Sequence, residues 1–367
     1  MFGEEEFFKT LKLKNDVIPT LRRYAKYNNL IIVSKVDGVA IKGKFDWIKE
    51  HLMDIGIDIE FRGIPLGKSK GIIDMAGGIM IDDNAQFLKE TNAKYKILYK
   101  GYTMKILAFG TLKGGTGKTT VAFNIGGILA EEHKVLFIDM DPQSNLSDNA
   151  GIDTTVQDGA TIRDVFSDPM HTTAEEVITK EPLWQLPNLD IIASHIRLTA
   201  TELQLVATAG RERILQKWID RNRGVLERYD YIIIDTNPSM GIVNQNAFMA
   251  ADEIVLVSDV SKKAIQGAQL FAYLWGEICE NLEIEDKTSA LIINRCDMRL
   301  NATKNIIEYY NDDEDFSQIV LNNTIPARVD VMNTETMYLP INFTAPESPA
   351  CEAFMDVVKE LRERNVL

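Results

Sequence analysis

The sequence predicts an α/β protein in which a doubly wound, mostly parallel sheet follows a smaller N-terminal α/β domain. After residue 104, short apolar runs alternate with stretches of helical periodicity, the pattern of parallel strands joined by crossover helices. The runs are apolar throughout and rich in β-branched residues, as expected for strands covered on both faces. A glycine-rich turn joins the first of these strands to the first helix.

Six strands are predicted in this second part, each a continuous run of mainly Val, Ile, Leu and Phe. They are Lys105–Gly110, Lys134–Asp139, Leu189–Ala193, Tyr231–Asp235, Glu253–Ser258 and Ser289–Asn294. The segments between them place apolar residues at helical spacing. The clearest predicted helices are Val121–Glu132, Thr201–Arg221 and Ala264–Asn281.

Met104 marks the expected domain boundary, because the run after it reads like the first strand of a free-standing domain. We therefore expect residues 1–103 to form an N-terminal α/β module and residues 104–367 the main domain. The first part has 17 Lys and Arg against 14 Asp and Glu, a net charge of +3, and the second has 23 against 40, or −17. An acidic surface repels nucleic acid at long range, so DNA contact would require a local basic patch.

Composition is that of a globular protein, with 45% apolar and 26% charged residues among 367. No run approaches the roughly 18 apolar residues of a membrane-spanning helix, and the acidic start lacks the basic region of a signal peptide. Three cysteines without C-x-x-C spacing argue against a disulfide framework or a zinc site. We expect a cytoplasmic protein.

The glycine-rich turn has the features of a phosphate-binding loop. Gly114, Gly115 and Gly117 allow the backbone to turn tightly and direct its N–H groups at an anion, and the helix that follows adds its positive dipole end. Lys118 is placed to reach the β- and γ-phosphates of a nucleotide, and Thr119 to ligate Mg²⁺. The predicted nucleotide-binding residues are Gly114, Gly115, Thr116, Gly117, Lys118, Thr119, Thr120 and, far along the chain, Asn294.

Aspartates follow at the ends of two later predicted strands. Asp139 ends one strand, Asp141 lies two residues beyond it, and Asp235 ends another. The carboxyl ends of neighbouring strands meet at one crevice in a doubly wound sheet, so these carboxylates should converge on the phosphates and a metal ion. Phosphoryl transfer requires acidic groups there, to hold Mg²⁺ and to orient the attacking water.

The loop differs from the strict phosphate-loop pattern at two positions. Leu112 replaces a glycine, and a second lysine, Lys113, stands at the entrance. Lys-Gly-Gly-Thr-Gly-Lys-Thr-Thr with this extra lysine resembles the deviant Walker A box of the ParA/MinD family of ATPases, and the resemblance covers nearly all of residues 104–367. It implies binding of ATP and Mg²⁺, and a homodimer that sandwiches ATP, with Lys113 crossing to the partner's nucleotide.

The resemblance also implies roles for individual residues. Lys113, Lys118 and Asp141 are the implied catalytic residues, and Asp141 is implied to lie nearest the attacking water. For the metal, Asp235 is the implied Walker B acid and Asp139 supports the magnesium shell, together with Thr119.

A further match concerns base recognition. The segment Ile293–Asp297 resembles the strand end at which family members read adenine, with the Asn294 amide as the reader. The same letters, Asn-Arg-Cys-Asp, also resemble the N-K-x-D guanine box of GTPases, with Asp297 as the purine reader. Arginine replaces the lysine of that box, and the deviant loop favours ATP.

The resemblance implies a ParA-like ATPase that binds nucleoid or plasmid DNA, is stimulated by a centromere-binding partner protein and drives DNA segregation. Lys262, Lys263 and Arg328 lie where family members often contact DNA, although surface solubility explains them equally well. One alternative is a MinD-like positioning ATPase that acts on a membrane or another cytoplasmic assembly. Another is a binding module in which residues 1–103 recruit a client and the ATPase acts as a timer.

The C-terminal segment Cys351–Leu367 is amphipathic. Acidic residues interrupt the basic ones on its polar side, whereas helices that lie on membranes favour Lys- and Arg-rich polar faces. We therefore expect this helix to dock on the protein core, and we do not expect membrane contact.

The N-terminal module resembles the second half of haloacid-dehalogenase-type 5′-nucleotidases. Ser34 at a strand end, Lys68 or Lys70 near a phosphate and the pair Asp82-Asp83 for Mg²⁺ carry the resemblance. Such enzymes need an earlier nucleophilic aspartate, and nothing before Asp16 supplies one, so the module is predicted to be inactive. The alternative is an unrelated small α/β domain in which Asp82-Asp83-Asn84 opens a helix.

Overall fold

The computed structural model describes the strands 30–36, 59–65, 79–82 and 95–98 and all residues of 104–154 and 159–367. The chain divides into two compact units, Met1–Gly101 and Tyr102–Leu367.

Two pairs of parallel strands are described in the first unit. β1 (Leu30–Val36) pairs with β2 (Ile59–Pro65), and β3 (Ile79–Asp82) pairs with β4 (Tyr95–Leu98). The prediction that the first strand ends at Ser34 is wrong, because β1 continues for two more residues. Lys68, Lys70 and Asp83, which carry the nucleotidase resemblance, lie outside the described residues.

A seven-stranded sheet forms the centre of the second unit. Its strands are β5 (Lys105–Gly110), β6 (Val135–Asp139), β7 (Ile178–Thr179), β8 (Leu189–Ile192), β9 (Tyr231–Asp235), β10 (Glu253–Asp259) and β11 (Thr288–Asn294). They lie in the order β11-β10-β5-β9-β6-β8-β7, and each neighbouring pair is parallel except β7 with β8. This order, with the first strand β5 inside the sheet, confirms the predicted doubly wound α/β fold.

Helices connect the strands on both faces of the sheet. They are α1 (Lys118–Leu129), α2 (Asn145–Asn149), α3 (Ile162–Ser167), α4 (Ala174–Val177), α5 (Leu198–Leu205), α6 (Ile214–Arg221), α7 (Arg223–Leu226), α8 (Ile242–Ala250), α9 (Lys262–Leu282), α10 (Asn301–Asp312), α11 (Val329–Met337), α12 (Ile341–Thr344) and α13 (Pro349–Glu363). A short 3₁₀ turn, Arg211–Arg213, precedes α6. Within these described ranges, no helix has both the length and the apolarity needed to cross a membrane.

Each face of the sheet carries its own hydrophobic core. In β5, Ile106 and Ala108 pack into one core and Leu107 and Phe109 into the other, because successive strand residues point to opposite faces. The apolar side of α13 belongs to the second core, where Phe354 is fully buried. The C-terminal helix therefore docks on the protein core, as the sequence indicated.

The prediction of one long helix over Thr201–Arg221 is wrong in one respect. It is interrupted between α5 and α6, where Gly210 adopts a φ of 66°, a left-handed conformation that a helix cannot contain. The predicted first helix also begins earlier than expected, at Lys118, so the lysine and the two threonines of the loop form its first turn.

Candidate functional site

The phosphate-binding loop lies between β5 and α1, at the carboxyl edge of the sheet. Gly115 and Gly117 have φ values of 81° and 83°, in the left-handed region that favours glycine. At Gly117 space is limiting as well, because a Cβ would lie 2.3 Å from Nδ2 of Asn294. This loop therefore requires glycine at position 117 for its backbone angle and for its close contact.

A cavity of about 430 Å³ opens above this loop. Its lining comprises Thr111, Lys113, Gly114, Gly115, Thr116, Gly117, Lys118, Thr119, Thr120, Asp141, Gln143, Asn145, Asn149, Pro238, Arg295 and Glu335. The hydroxyl of Thr116 is buried, and no described residue forms a hydrogen bond with it. Buried polar atoms are normally satisfied, so this hydroxyl, beside backbone N–H groups and two lysines, fits an anionic ligand such as a nucleotide's phosphates.

Lys118 and Thr119 both contact Asp235 at the end of β9. The Lys118 ammonium lies 2.7 Å from one carboxylate oxygen of Asp235 and also donates to the backbone oxygen of Thr236. The Thr119 hydroxyl donates to the other carboxylate oxygen at 2.6 Å. Lys118 is 6% exposed and Asp235 is fully buried, so this ion pair has little contact with water.

Asp139 lies next to Asp235 in the register of β6 and β9. Its carboxylate accepts hydrogen bonds from the Ser147 hydroxyl at 2.7 Å, from the Ser147 N–H and from the Asp141 N–H. Complete burial, together with the charge of Asp235, raises the pKa of Asp139 to about 7. Asp139 thus holds the loop that carries Asp141.

Asp141 lines the cavity and is buried. Burial raises the pKa of this carboxyl, and a hydrogen bond from the Gln143 N–H opposes that shift. The backbone turns sharply just after it, because Ser144 has a φ of 58°. Of the three predicted aspartates, Asp141 is the one that faces the cavity.

The donor set at this edge fits Mg²⁺, which prefers oxygen ligands and commonly keeps several waters while using one or two protein carboxylates plus phosphates. The Thr119 hydroxyl and the Asp235 carboxylate are already in contact, and Asp139 is the neighbour of Asp235. No cluster of three or more His, Cys, Asp or Glu side chains able to hold a metal exists within 104–154 and 159–367. Thr119, Asp235 and Asp139 are the residues that would hold a metal here.

Lys113 lines the cavity wall and forms an ion pair that the sequence did not reveal. Its ammonium lies 2.6 Å from Oδ2 of Asp259, at the end of β10. Asp259 was missed because the strand was predicted to end one residue earlier, at Ser258; a strand-end aspartate was nevertheless the signal that identified Asp139 and Asp235. Glu335, whose carboxylate accepts from the Thr120 hydroxyl, had no such signal.

Asn294 lies beneath the loop and does not line the cavity. Its Nδ2 donates to the Thr116 carbonyl at 2.8 Å, and its Oδ1 accepts from the Arg295 N–H. Arg295, with a φ of 57°, lines the cavity and donates to the Gly115 carbonyl. Asn294 therefore supports the loop in this conformation.

Asp297, the purine reader in the guanine alternative, is hydrogen-bonded to Arg299, which lowers the pKa of Asp297 to about 2.

Comparison with known proteins identifies the family. A family model described as an AAA domain matches residues 104–288, about half of the chain. The sporulation initiation inhibitor protein Soj of Bacillus subtilis is 30% identical over 258 residues, which cover 70% of this chain and 98% of Soj. The chain belongs to the ParA/MinD family of P-loop ATPases. The chromosome partitioning protein ParA of Myxococcus xanthus is a further relative, 28% identical over 71% of this chain and 89% of its own.

Solved structures agree with this family fold. Apo McdA from Cyanothece superposes with a TM-score of 0.62 at 21% identity, covering 70% of this chain and 98% of McdA. A putative plasmid partition protein of Borrelia burgdorferi, bound to AMPPNP, has a TM-score of 0.56 at 23% identity and covers 71% of this chain and 99% of its own. At these identities the likeness establishes the fold.

The predicted DNA-contact residues of this ParA/MinD ATPase lie outside the cavity lining. Lys262 and Lys263 are exposed in the first turn of α9, which begins three residues after Asp259. Arg328 is exposed but pairs with Asp330 at 2.8 Å. Within 104–154 and 159–367, neither Lys262 nor Lys263 forms such an ion pair.

Proposed function

We propose that this chain is a ParA-type, Mg²⁺-dependent ATPase that forms an ATP-sandwich dimer, binds DNA and drives plasmid or chromosome segregation through ATP hydrolysis. Lys113 carries the proposal. It is a second lysine in the wall of a cavity that already contains Lys118, and 26% of its side chain is exposed. A single subunit needs one lysine to neutralise the β- and γ-phosphates, so the second is available to a neighbouring subunit's nucleotide.

The cavity residues divide the expected work. The loop N–H groups and Lys118 bind the β- and γ-phosphates, and Asp141 orients the attacking water. Thr119, Asp235 and Asp139 form the side of the site that would hold Mg²⁺, which would neutralise charge developing on the phosphate oxygens. Asn294 holds the loop through the Thr116 carbonyl; we propose that it also reads adenine once nucleotide is bound.

Dimerisation is tested by sedimentation of the full chain with ATP, ADP or no nucleotide, in Mg²⁺ and in EDTA. We expect a dimer with ATP and Mg²⁺ only. Lys113→Ala should keep ATP affinity but lose the dimer and most turnover. Lys105→Ala is the matched control, because Lys105 is also 26% exposed and ion-paired but lies at the opposite end of the sheet. An unchanged ATP-dependent dimer in Lys113→Ala would contradict the proposal.

DNA binding is proposed to use Lys262 and Lys263, which are exposed at the start of α9. In a dimer two such pairs would supply the local basic patch that an acidic domain otherwise lacks. The name of one relative, the chromosome partitioning protein ParA of Myxococcus xanthus, supports a role in segregation. Affinity for non-specific DNA should require ATP and fall in the double variant Lys262→Ala/Lys263→Ala, with its salt dependence reduced. DNA affinity independent of both nucleotide and these lysines would contradict this assignment.

Residues 1–103 are proposed to form a separate module without phosphatase activity. The full chain carrying Lys118→Ala should release no phosphate from nucleoside monophosphates. Phosphate release that depends on metal and disappears on Asp82→Asn would contradict this and indicate a bifunctional enzyme. A centromere-binding partner protein and a cytoplasmic, nucleoid-associated location complete the proposed system; fluorescence imaging of the tagged full chain beside stained DNA tests the location.

A further inference from the structure

Lys113, the lysine that the proposed dimer requires, already forms an ion pair with Asp259 of its own subunit. The two groups are 2.6 Å apart, and Asp259 is only 11% exposed. Asp259 ends β10, beside β5, from which the loop leaves. The Lys113 ammonium therefore rests on its own subunit, at the wall of its own cavity.

Packing around Lys113 favours this position. A Cβ added at Gly267 of α9 would lie 2.9 Å from the Lys113 Cβ and 3.2 Å from its backbone N. The lysine thus runs between α9 and the end of β10. Glycine at position 267 leaves the space that this path needs.

Asp259 has little other compensation for its charge. Its second oxygen, Oδ1, is buried, and no residue in the described part of the chain donates to it. A buried carboxylate that has one oxygen without a hydrogen-bond donor becomes costly when the partner of its ion pair leaves. Movement of Lys113 to another subunit's phosphates is therefore opposed by Asp259.

We infer that Asp259 is a positioning residue that holds Lys113 in its own subunit and thereby raises the ATP and protein concentrations at which two subunits associate. The inference rests on the proposed function, in which Lys113 acts across the dimer. In this scheme Asp259 contacts neither the nucleotide nor the attacking water, and it acts through Lys113 alone.

The test compares Asp259→Asn with the wild-type chain. The variant keeps the shape of the side chain and removes its charge. An ion pair at this exposure contributes up to about a fivefold factor, and a dimer releases two of them, so the dimer dissociation constant with ATP should fall by up to about 25-fold. Asp259→Glu should resemble wild type, because it keeps the charge.

Two controls separate positioning from a structural role. Glu253→Gln removes an ion pair of 2.7 Å from the other end of the same strand and should leave the dimer constant within about twofold. The double variant Lys113→Ala/Asp259→Asn should fail to dimerise. A dimer constant that is unchanged or weaker in Asp259→Asn, or a double variant that dimerises as tightly as Asp259→Asn, would overturn the inference.

A second readout does not depend on dimerisation. In the nucleotide-free chain, the rate at which an amine-specific acetylating reagent modifies Lys113, followed by mass spectrometry, should rise about fivefold in Asp259→Asn and stay unchanged in Glu253→Gln. An unchanged rate at Lys113 would overturn the inference. If this rate rises and wild type forms no ATP-dependent dimer, then the positioning role stands and the proposed dimer is wrong.

Discussion

The buried pair between Lys118 and Asp235 allows stability and nucleotide binding to be separated. Lys118→Ala removes the ammonium that pairs with the fully buried carboxylate of Asp235, which lies next to a second carboxylate, Asp139. It also removes the group expected to neutralise the phosphates. We expect this variant to lose both stability and ATP affinity.

Desolvation of the remaining Asp235 carboxylate determines how much stability Lys118→Ala loses. Breaking a buried ion pair by removing one partner costs about 3–5 kcal/mol, because the remaining charge is left in a poorly hydrated site. The Thr119 hydroxyl still donates to Asp235, which places the expected loss towards the lower end. For a domain of this size, about 2–4 °C of Tm is lost per kcal/mol, so Tm should fall by roughly 10 °C.

A second substitution restores one property and not the other. Lys118→Ala/Asp235→Asn removes the stranded charge, so its free energy of unfolding without nucleotide should recover most of the loss. ATP affinity should stay abolished in both variants. Urea denaturation without nucleotide and calorimetric titration with ATP measure the two effects. Equal stability of Lys118→Ala and wild type, or ATP affinity retained in Lys118→Ala, would refute the reasoning.

Three further predictions concern single residues of the site. Asp141→Ala should trap the proposed ATP-bound dimer, seen as a dimer persisting for hours after ATP addition, because the phosphate-binding loop is intact and the group proposed to orient water is gone; hydrolysis at the wild-type rate would remove Asp141 from the mechanism. Gly117→Ala should weaken ATP binding at least tenfold, because its Cβ meets Asn294 at 2.3 Å and its φ is 83°; calorimetry showing wild-type affinity would contradict this. Asp139 holds a proton from about pH 4 to about 7 that the unfolded chain releases, so the free energy of unfolding without nucleotide should fall as pH rises through that window, and Asp139→Asn should flatten this fall in urea titrations.

The fold was accessible from the sequence because its strands are buried on both faces. Such strands read as unbroken apolar runs, and β5 and β9 were predicted with the bounds that the structure has. The interruption at Gly210 was not visible, because a single glycine within a helical pattern is also tolerated inside helices. β7 has two residues and leaves too short a pattern to recognise.

The site could be predicted from the sequence where the residues that carry the chemistry belong to a short local motif. The glycines of the loop lie between a strand and a helix, and the aspartates lie at strand ends, so both could be recognised from the order of elements along the chain. Contacts between distant segments were not accessible: Asn294 meets the loop 178 positions away, and Glu335 meets Thr120 across 215. One sequence contains no information on such pairs unless both partners belong to a known motif.

The two lysines of the loop show what the motif leaves undetermined. Lys118 pairs with Asp235 at the end of β9, Lys113 pairs with Asp259 at the end of β10, and these strands flank β5 on either side. Nucleotide phosphates must therefore compete with two carboxylates of the same chain. ATP affinity and formation of the proposed dimer should depend on the difference between lysine–carboxylate and lysine–phosphate energies. Neutralising either aspartate should therefore change one of these equilibria while every residue of the motif remains in place.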